Sequence, residues 1–320
     1  MEKIFINDRR IKLFASFLRG LPEVRPFNFC SLEEGSLLPS RGRPGVVDYF
    51  FFCCAHQFGF WYLENDRYAR PMIARIEGRE LKGSDYLWRC ATRAWSIRPD
   101  FFSPRSLAAL TERDWAEVFQ DDEGRNPLPM WPEHFKIIHE YSRWLLEQDQ
   151  TPVSIVAYAN RQPRVLKAFI QKAGVIPGYT EDPLRKKLFL LATVLENRPE
   201  GFLEVNDPES LGPIIDYHLQ RSALRTGLVE VSDPSLRAKL KRRELVSGGE
   251  EKEVRAAVFQ AVQRLIRASA ISASAVDYFF FTNRKRCPEM AVPECSACPV
   301  NPVCARRTEL FQPVFRTTAY

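Results

Sequence analysis

The stretch EEKEVRAAVFQAVQRLIRAS, residues 250–269, decides the fold class. Val254, Ala257, Val258, Ala261, Val262, Leu265 and Ile266 recur at spacings of three and one, which draws a single apolar stripe along a helix. That stripe predicts a core-facing helix. A second stripe runs through Phe135, Ile138, Tyr141, Leu145 and Leu146, with Pro132 and Glu133 at its start. Arg164 to Lys172 reads as a helix stopped by Gly174, and Asp182 with Pro183 forms an N-cap and first-turn pair opening DPLRKKLFLLATVLEN. Strand signals are scarce, because most β-branched residues sit inside helical patterns and no Asn-Gly hairpin occurs. The expected fold is therefore all-α. Residues 121–132 and 237–251, the latter with RAKLKRR and SGGEE, read as surface loops.

Bulk composition narrows the class. A chain of 320 residues, 45% hydrophobic and 27% charged, is long enough for one large core or two lobes and is not a disordered or fibrous sequence. Its start, MEKIFINDRRIKLF, lacks the basic flank and apolar run of a secretory signal, so a cytoplasmic location is expected. The longest apolar stretch, Val46 to Tyr62, is broken by Asp48, His56 and Gln57, and reads as a buried helix rather than a membrane span. A net charge of +6 is compatible with a phosphate-bearing partner but comes without long basic tracts, so nucleic acid is possible and no membrane partner is expected.

Four of the eight cysteines crowd into CPEMAVPECSACPVNPVC, residues 287–304, with the spacing C-x7-C-x2-C-x5-C. Cys287, Cys295, Cys298 and Cys304 on one short loop stiffened by Pro288, Pro293, Pro299 and Pro302 suit a [4Fe-4S] cluster. Zinc competes, but structural zinc sites bring two short knuckles and only one C-x2-C pair occurs here. The spacing resembles the C-x6-C-x2-C-x5-C loop of the helix-hairpin-helix DNA glycosylases of the endonuclease III type, with one residue more between the first two cysteines. That family's iron does no hydrolysis, so the resemblance implies a structural or redox-sensing role.

Upstream lies PIIDYHLQRSALRTGLVEV, residues 213–231, in which Asp216 follows an apolar pair and opens an Arg-rich helix. It resembles the segment of the same family where an aspartate begins a helix and an arginine follows. Breaking an N-glycosidic bond builds an oxocarbenium-like sugar, which a carboxylate stabilises while it orients water. The plainer role for Asp216 is to cap the helix from Tyr217. His218 and Arg221 are candidate pocket and phosphate residues, with Arg225 one turn on. Lys186 and Lys187 follow Arg185 in a run that reads as a solvated face; Lys187 is carried as a substrate-binding candidate.

The segments VVDYFFFCCAHQFGFWY, DYLWRCATRAW and LAALTERDWAEVF concentrate aromatic rings around few polar groups, a composition that suits a nucleobase pocket. Asp48 and Gln57 are the candidates there, since polar groups in apolar surroundings need partners, and Phe58 and Trp61 are carried as substrate-binding rings. FGFWY, YLWRCATRAW, LTERDWAEVF, PLPMWPEHFKIIHEYSRWLLE, DPLRKK and DYHLQR together resemble the queuosine salvage family, queuosine 5'-phosphate N-glycosylases that release queuine. The Leu-x-Gly-x-Gly hairpin that grips duplex DNA is missing; GVIPGYTEDP stands in its place.

The expectation is a two-lobed helical, glycosylase-like fold: an aromatic lobe over about 1–150, a catalytic lobe over about 151–286, the cluster loop at 287–304 and a tail at 305–320. The expected activity is N-glycosidic hydrolysis of a modified purine or 7-deazaguanine nucleotide or nucleoside. Two alternatives stand beside it: a DNA base-excision glycosylase, and a non-catalytic [4Fe-4S] nucleic-acid-binding or redox-sensing protein.

Overall fold

The computed structural model describes residues 3–31 and 36–320. Among them the chain forms helices α1 (Asp8–Arg19), α2 (Val46–Ala55), α3 (Ser84–Ile97), α4 (Pro104–Ala108), α5 (Glu112–Val118) and α6 (Trp131–Glu147). These are followed by α7 (Pro152–Asn160), α8 (Val165–Ala173), α9 (Lys186–Asn197), α10 (Tyr217–Thr226), α11 (Pro234–Arg242), α12 (Gly248–Ser269) and α13 (Ala273–Asn283). The strands are short: β1 (Ile4–Ile6), β2 (Trp61–Glu64), β3 (Arg67–Pro71), β4 (Ile73–Ile76), β5 (Arg79–Lys82) and β6 (Val229–Val231). The fold is mainly α, as the periodicity predicts, and no described helix is long and apolar enough to cross a membrane.

Two compact units result. The first comprises Met1–Phe27, Leu63–Arg70 and Gly212–Arg316, and the second Asn28–Tyr62, Pro71–Leu211 and Thr317–Tyr320. Each is built from separate pieces of chain. Strand pairing gives the reason in the first unit: β1 joins β6 antiparallel, Ile4 opposite Val231 and Ile6 opposite Val229, so the chain's opening residues fold with its last third.

In the first unit α12 is the axis. Ser247 and Glu250 close a capping box at its start, and Val254, Val258, Ala261, Val262 and Leu265 are buried along the stripe read from sequence. Helices α1 and α10 pack on it, adding Ile11, Phe14 and Leu18 from one and Leu219, Ala223 and Leu224 from the other. Full burial of such side chains stabilises the unit by about 1.5–3 kcal/mol each. Residues 237–251, expected as a loop, are helical at both ends, up to Arg242 in α11 and from Gly248 in α12. Leu236 and Leu240, one turn apart, are buried on α11, and Asp233 caps it through the amide of Leu236.

In the second unit α2 is apolar on every side and correspondingly buried: Val46, Val47 and every residue from Tyr49 to Ala55. It packs against α3, α7 and α9. The helix ends at Ala55, earlier than the apolar run to Tyr62 suggests, and the chain turns into β2. Helix α9 begins at Lys186 rather than Pro183, because Arg185 takes a left-handed conformation at φ 56°. Asp182 still serves the start of the helix, accepting from the amides of Leu184 at 2.9 Å and Lys186 at 2.7 Å.

Candidate functional site

In the first unit, Asp216 is the N-cap of α10. Its backbone is extended, and its Oδ1 accepts from the amide of Leu219 at 2.8 Å. The approach to the cap is held by Arg255, whose guanidinium donates to the carbonyl of Ile215 at 3.1 and 3.3 Å. The carboxylate itself is half-buried. At the other end Gly227 closes the helix at φ 79°, where a Cβ would stand 2.7 Å from Ala305.

One face of α10 grips the cysteine loop. The Arg221 guanidinium lies 3.1 Å from Nδ1 of His218 and 3.6 Å from Oε1 of Glu289, which sits between Cys287 and Cys295 in sequence. A guanidinium can only donate, so this contact needs a lone pair on Nδ1 of His218, whereas a carboxylate can only accept and needs a proton there. His218 Nδ1 is itself 3.3 Å from Glu289 Oε1. Burial pulls the Arg221 guanidinium below its ordinary range, with Glu289 opposing the shift. One turn on, Arg225 donates through Nε to the carbonyl of Leu310 at 2.8 Å, and through Nη1 to the carbonyl of Pro288 at 2.9 Å and to Sγ of Cys287 at 3.2 Å.

The four cysteines of the loop are all half-buried. Burial pushes the Cys304 thiol up, and Cys287, Cys295 and Cys298 are close enough to add to that shift. The amide of Arg306 donates to Sγ of Cys304 at 3.3 Å. Among the described residues no three His, Cys, Asp or Glu side chains are close enough to hold a single metal ion. A cubane separates its thiolates more widely than one tetrahedral ion does.

In the second unit, the residues at the end of α2 form a buried polar cluster. Lys186 and Lys187, expected on a solvated face, are buried, Lys187 completely. The reason is the end of α2, whose last carbonyls have no partner within the helix. Lys187 Nζ donates to the carbonyl of Ala55 at 3.0 Å, and Lys186 Nζ to that of Gln57 at 2.9 Å. Burial lowers the Lys187 amine to about 8, although Glu181, 3.9 Å away, opposes it. The Gln57 amide is used inside the protein as well, donating to the carbonyl of Cys53 at 3.2 Å.

Two histidines that the sequence reading passed over complete this cluster. Nδ1 of His56 and Nδ1 of His134 are 3.1 Å apart, so one ring donates and the other accepts. Both rings are buried, and among the described residues neither Nε2 has a partner. Phe58 stacks on His134 at 4.0 Å between centroids and lies 5.1 Å from the Lys187 ammonium. Burial drives His56 well below the usual imidazole range and His134 to about 3; the Lys187 charge pushes both the same way. Trp61 is buried under the Lys82 ammonium, 5.9 Å from its centroid.

Asp48 stands apart from the cluster, in the first turn of α2. Burial raises its carboxyl to about 6, with its own backbone amide pulling partly back. It lines a cleft of about 360 Å³ with Arg43, Gly45, Val47, Val156 and Phe202. In the first unit His218 and Arg221 gather with the cysteine loop while Asp216 caps the same helix; in the second, Gln57, Phe58 and Lys187 gather at the end of α2 and Asp48 lines a cleft at its start.

A profile of the family described as queuosine salvage protein matches residues 37–180. The matched segment runs from before α2 through α8 and includes Asp48, His56, Gln57, Phe58, Trp61 and His134, but stops short of Lys187, Asp216 and the cysteine loop. No curated protein matches the chain.

Proposed function

We propose that this chain is a hydrolase that breaks the N-glycosidic bond of a queuosine-like 7-deazaguanine nucleotide or nucleoside and releases the free base. The observation that carries this reading is the likeness to queuosine salvage proteins over residues 37–180. In the reaction the bond between the sugar and the base nitrogen breaks and its electron pair leaves with the base. Water bonds to the sugar carbon, and its proton passes to the base nitrogen. Asp216 is the carboxylate assigned to this chemistry, stabilising the positive sugar and orienting the water. The hydrogen bond from Leu219 fixes one of its oxygens at a helix start, a placement that supports the role. The Lys187 amine and Gln57 amide are assigned instead to holding the end of α2, because both donate to carbonyls of that segment.

Cys287, Cys295, Cys298 and Cys304 are assigned a [4Fe-4S] cluster. The donor set fits: four thiols interact on one loop, and sulfurs of two of them receive N–H donors, from Arg225 and Arg306. A bound cluster would cross-link the loop and exchange single electrons, and it takes no part in the hydrolysis.

The test is to incubate the wild-type chain and Asp216→Asn with queuosine 5'-phosphate and with damaged duplex DNA, following free base by chromatography. Release from the nucleotide is expected, with loss of roughly a hundredfold or more in the variant. Release from DNA alone would move the function to base excision, and a fully active variant would remove Asp216 from the chemistry.

A further inference from the structure

We infer that the cleft between the first turn of α2 and α7 is a base-binding site, in which Asp48 accepts the paired N–H donors of a 2-amino-4-oxo, guanine-like ring edge. The inference takes the class of base from the proposed function above and adds a group in the second unit that binds that base.

The cleft has the size and character of a small-molecule site. Its volume of about 360 Å³ falls in the usual range for such pockets, and Val47, Val156 and Phe202 give it apolar walls. Asp48 is the acidic residue in its lining. Among the described residues no other side chain donates a hydrogen bond to that carboxylate, and the weakening of its acidity by burial is offset only by its own backbone amide. Behind it the hydroxyl of Tyr141 is completely buried, close enough to feel the charge of Asp48 and without a partner among the described residues. A carboxylate largely shielded from water gains when two N–H donors reach it.

The backbone beside Asp48 supplies the complementary half. Gly45 is the N-cap of α2 and has no side chain to serve the first amides, and among the described residues those of Val46 and Val47 have no acceptor. No other residue fits at this cap: φ is 72°, and a Cβ would lie 1.9 Å from the carbonyl oxygen of Pro99. One carboxylate beside free helix amides therefore matches a ring that presents two adjacent N–H donors and then a carbonyl oxygen. Guanine and 7-deazaguanine carry that order, whereas an adenine edge sets a ring lone pair against the carboxylate. The rim is fixed by Trp95, which donates to the carbonyl of Pro44 at 3.0 Å and lies 5.6 Å from the Arg43 guanidinium.

The experiment is a calorimetric titration of the full chain with 7-deazaguanine and with 7-deazaadenine at pH 7.5, repeated on Asp48→Asn and on Val153→Trp. Val153 lines the cleft from an exposed helical position, so tryptophan there narrows the cleft without disturbing the core. The wild-type chain is expected to prefer 7-deazaguanine by about tenfold or more, Asp48→Asn to lose that preference, and Val153→Trp to weaken binding of the base. Circular dichroism checks that each variant is folded. Equal binding by wild type and Asp48→Asn, equal affinity for the two bases, or no binding to the folded wild type would each overturn the assignment. Base binding without hydrolysis would remove the proposed reaction and leave this site standing; hydrolysis by a chain that binds neither base in the titration would do the reverse.

Discussion

The guanidinium of Arg225 donates to the sulfur of Cys287 across 3.2 Å, and the same nitrogen donates to the carbonyl of Pro288 at 2.9 Å. These two bonds clamp the first cysteine of the loop to α10 and give its sulfur the N–H donor that supports a metal ligand.

Anaerobically purified protein is accordingly expected to be brown and to carry about four irons per chain. Arg225→Met should retain less iron and lose it severalfold faster to a chelator, with Arg225→Lys in between, and Cys298→Ser should lose it outright. Iron analysis and visible absorption decide the matter. A colourless chain with stoichiometric zinc would overturn the cluster.

Asp216 holds two roles that substitution separates. Asparagine caps a helix about as well as aspartate, so Asp216→Asn should unfold at the wild-type denaturant concentration, while Asp216→Ala loses the bond to Leu219 and about 1 kcal/mol. Both should lose base release. Equal stability of the two variants would show that the cap contributes nothing.

The histidine pair should make folding acid-sensitive. His56 is held well below the ordinary imidazole range and His134 at about 3, while an unfolded imidazole titrates near 6.5. Between those limits the unfolded chain binds protons that the folded chain refuses, so stability is complete above about pH 6.5 and declines as pH falls. The decline is about 1.4 kcal/mol per pH unit for each histidine. Urea denaturation at pH 7.5 and 5 measures it. The His56→Gln, His134→Gln double variant should show a shallower difference, and an unchanged one would place the sensitivity elsewhere.

Asp48 runs in the opposite direction. Its folded carboxyl titrates near 6, above the unfolded 3.8, so its contribution is most favourable below about pH 4 and is lost as pH rises through 6. Asp48→Asn should therefore stabilise the chain by about 2–3 kcal/mol at pH 8 and by little at pH 4. Thermal melts at both values check this, and destabilisation at pH 8 would mean that the carboxylate has a partner.

Lys187 has the lowered amine that a Schiff base needs, yet that amine already donates to the carbonyl of Ala55. No protein–sugar adduct is expected under borohydride with substrate. Trapping at Lys187 or Lys186 would point to a lyase, and so toward DNA.

The local devices were legible in the chain itself. The stripe from Val254 to Ile266, the aspartate opening α10 and the glycine after α8 depend on neighbours within a turn or two, where spacing and residue type decide the conformation. The limits of α9 and α11 were less legible, because a left-handed Arg185 and the burial of Leu236 and Leu240 come from packing.

The polar groups were decided by tertiary structure. Lys186 and Lys187 read as solvated because their sequence neighbours are charged, but they are buried because the carbonyls closing α2, some 130 residues away, lack donors. His56 and His134, 78 positions apart, meet only when α6 is laid beside the end of α2, and Glu289 joins His218 and Arg221 only when the cysteine loop returns to α10. Periodicity along a chain specifies which face of an element is apolar. Which buried charge finds which carbonyl, carboxylate or ring is set by long-range packing, because desolvation selects partners by distance in space rather than by position in sequence.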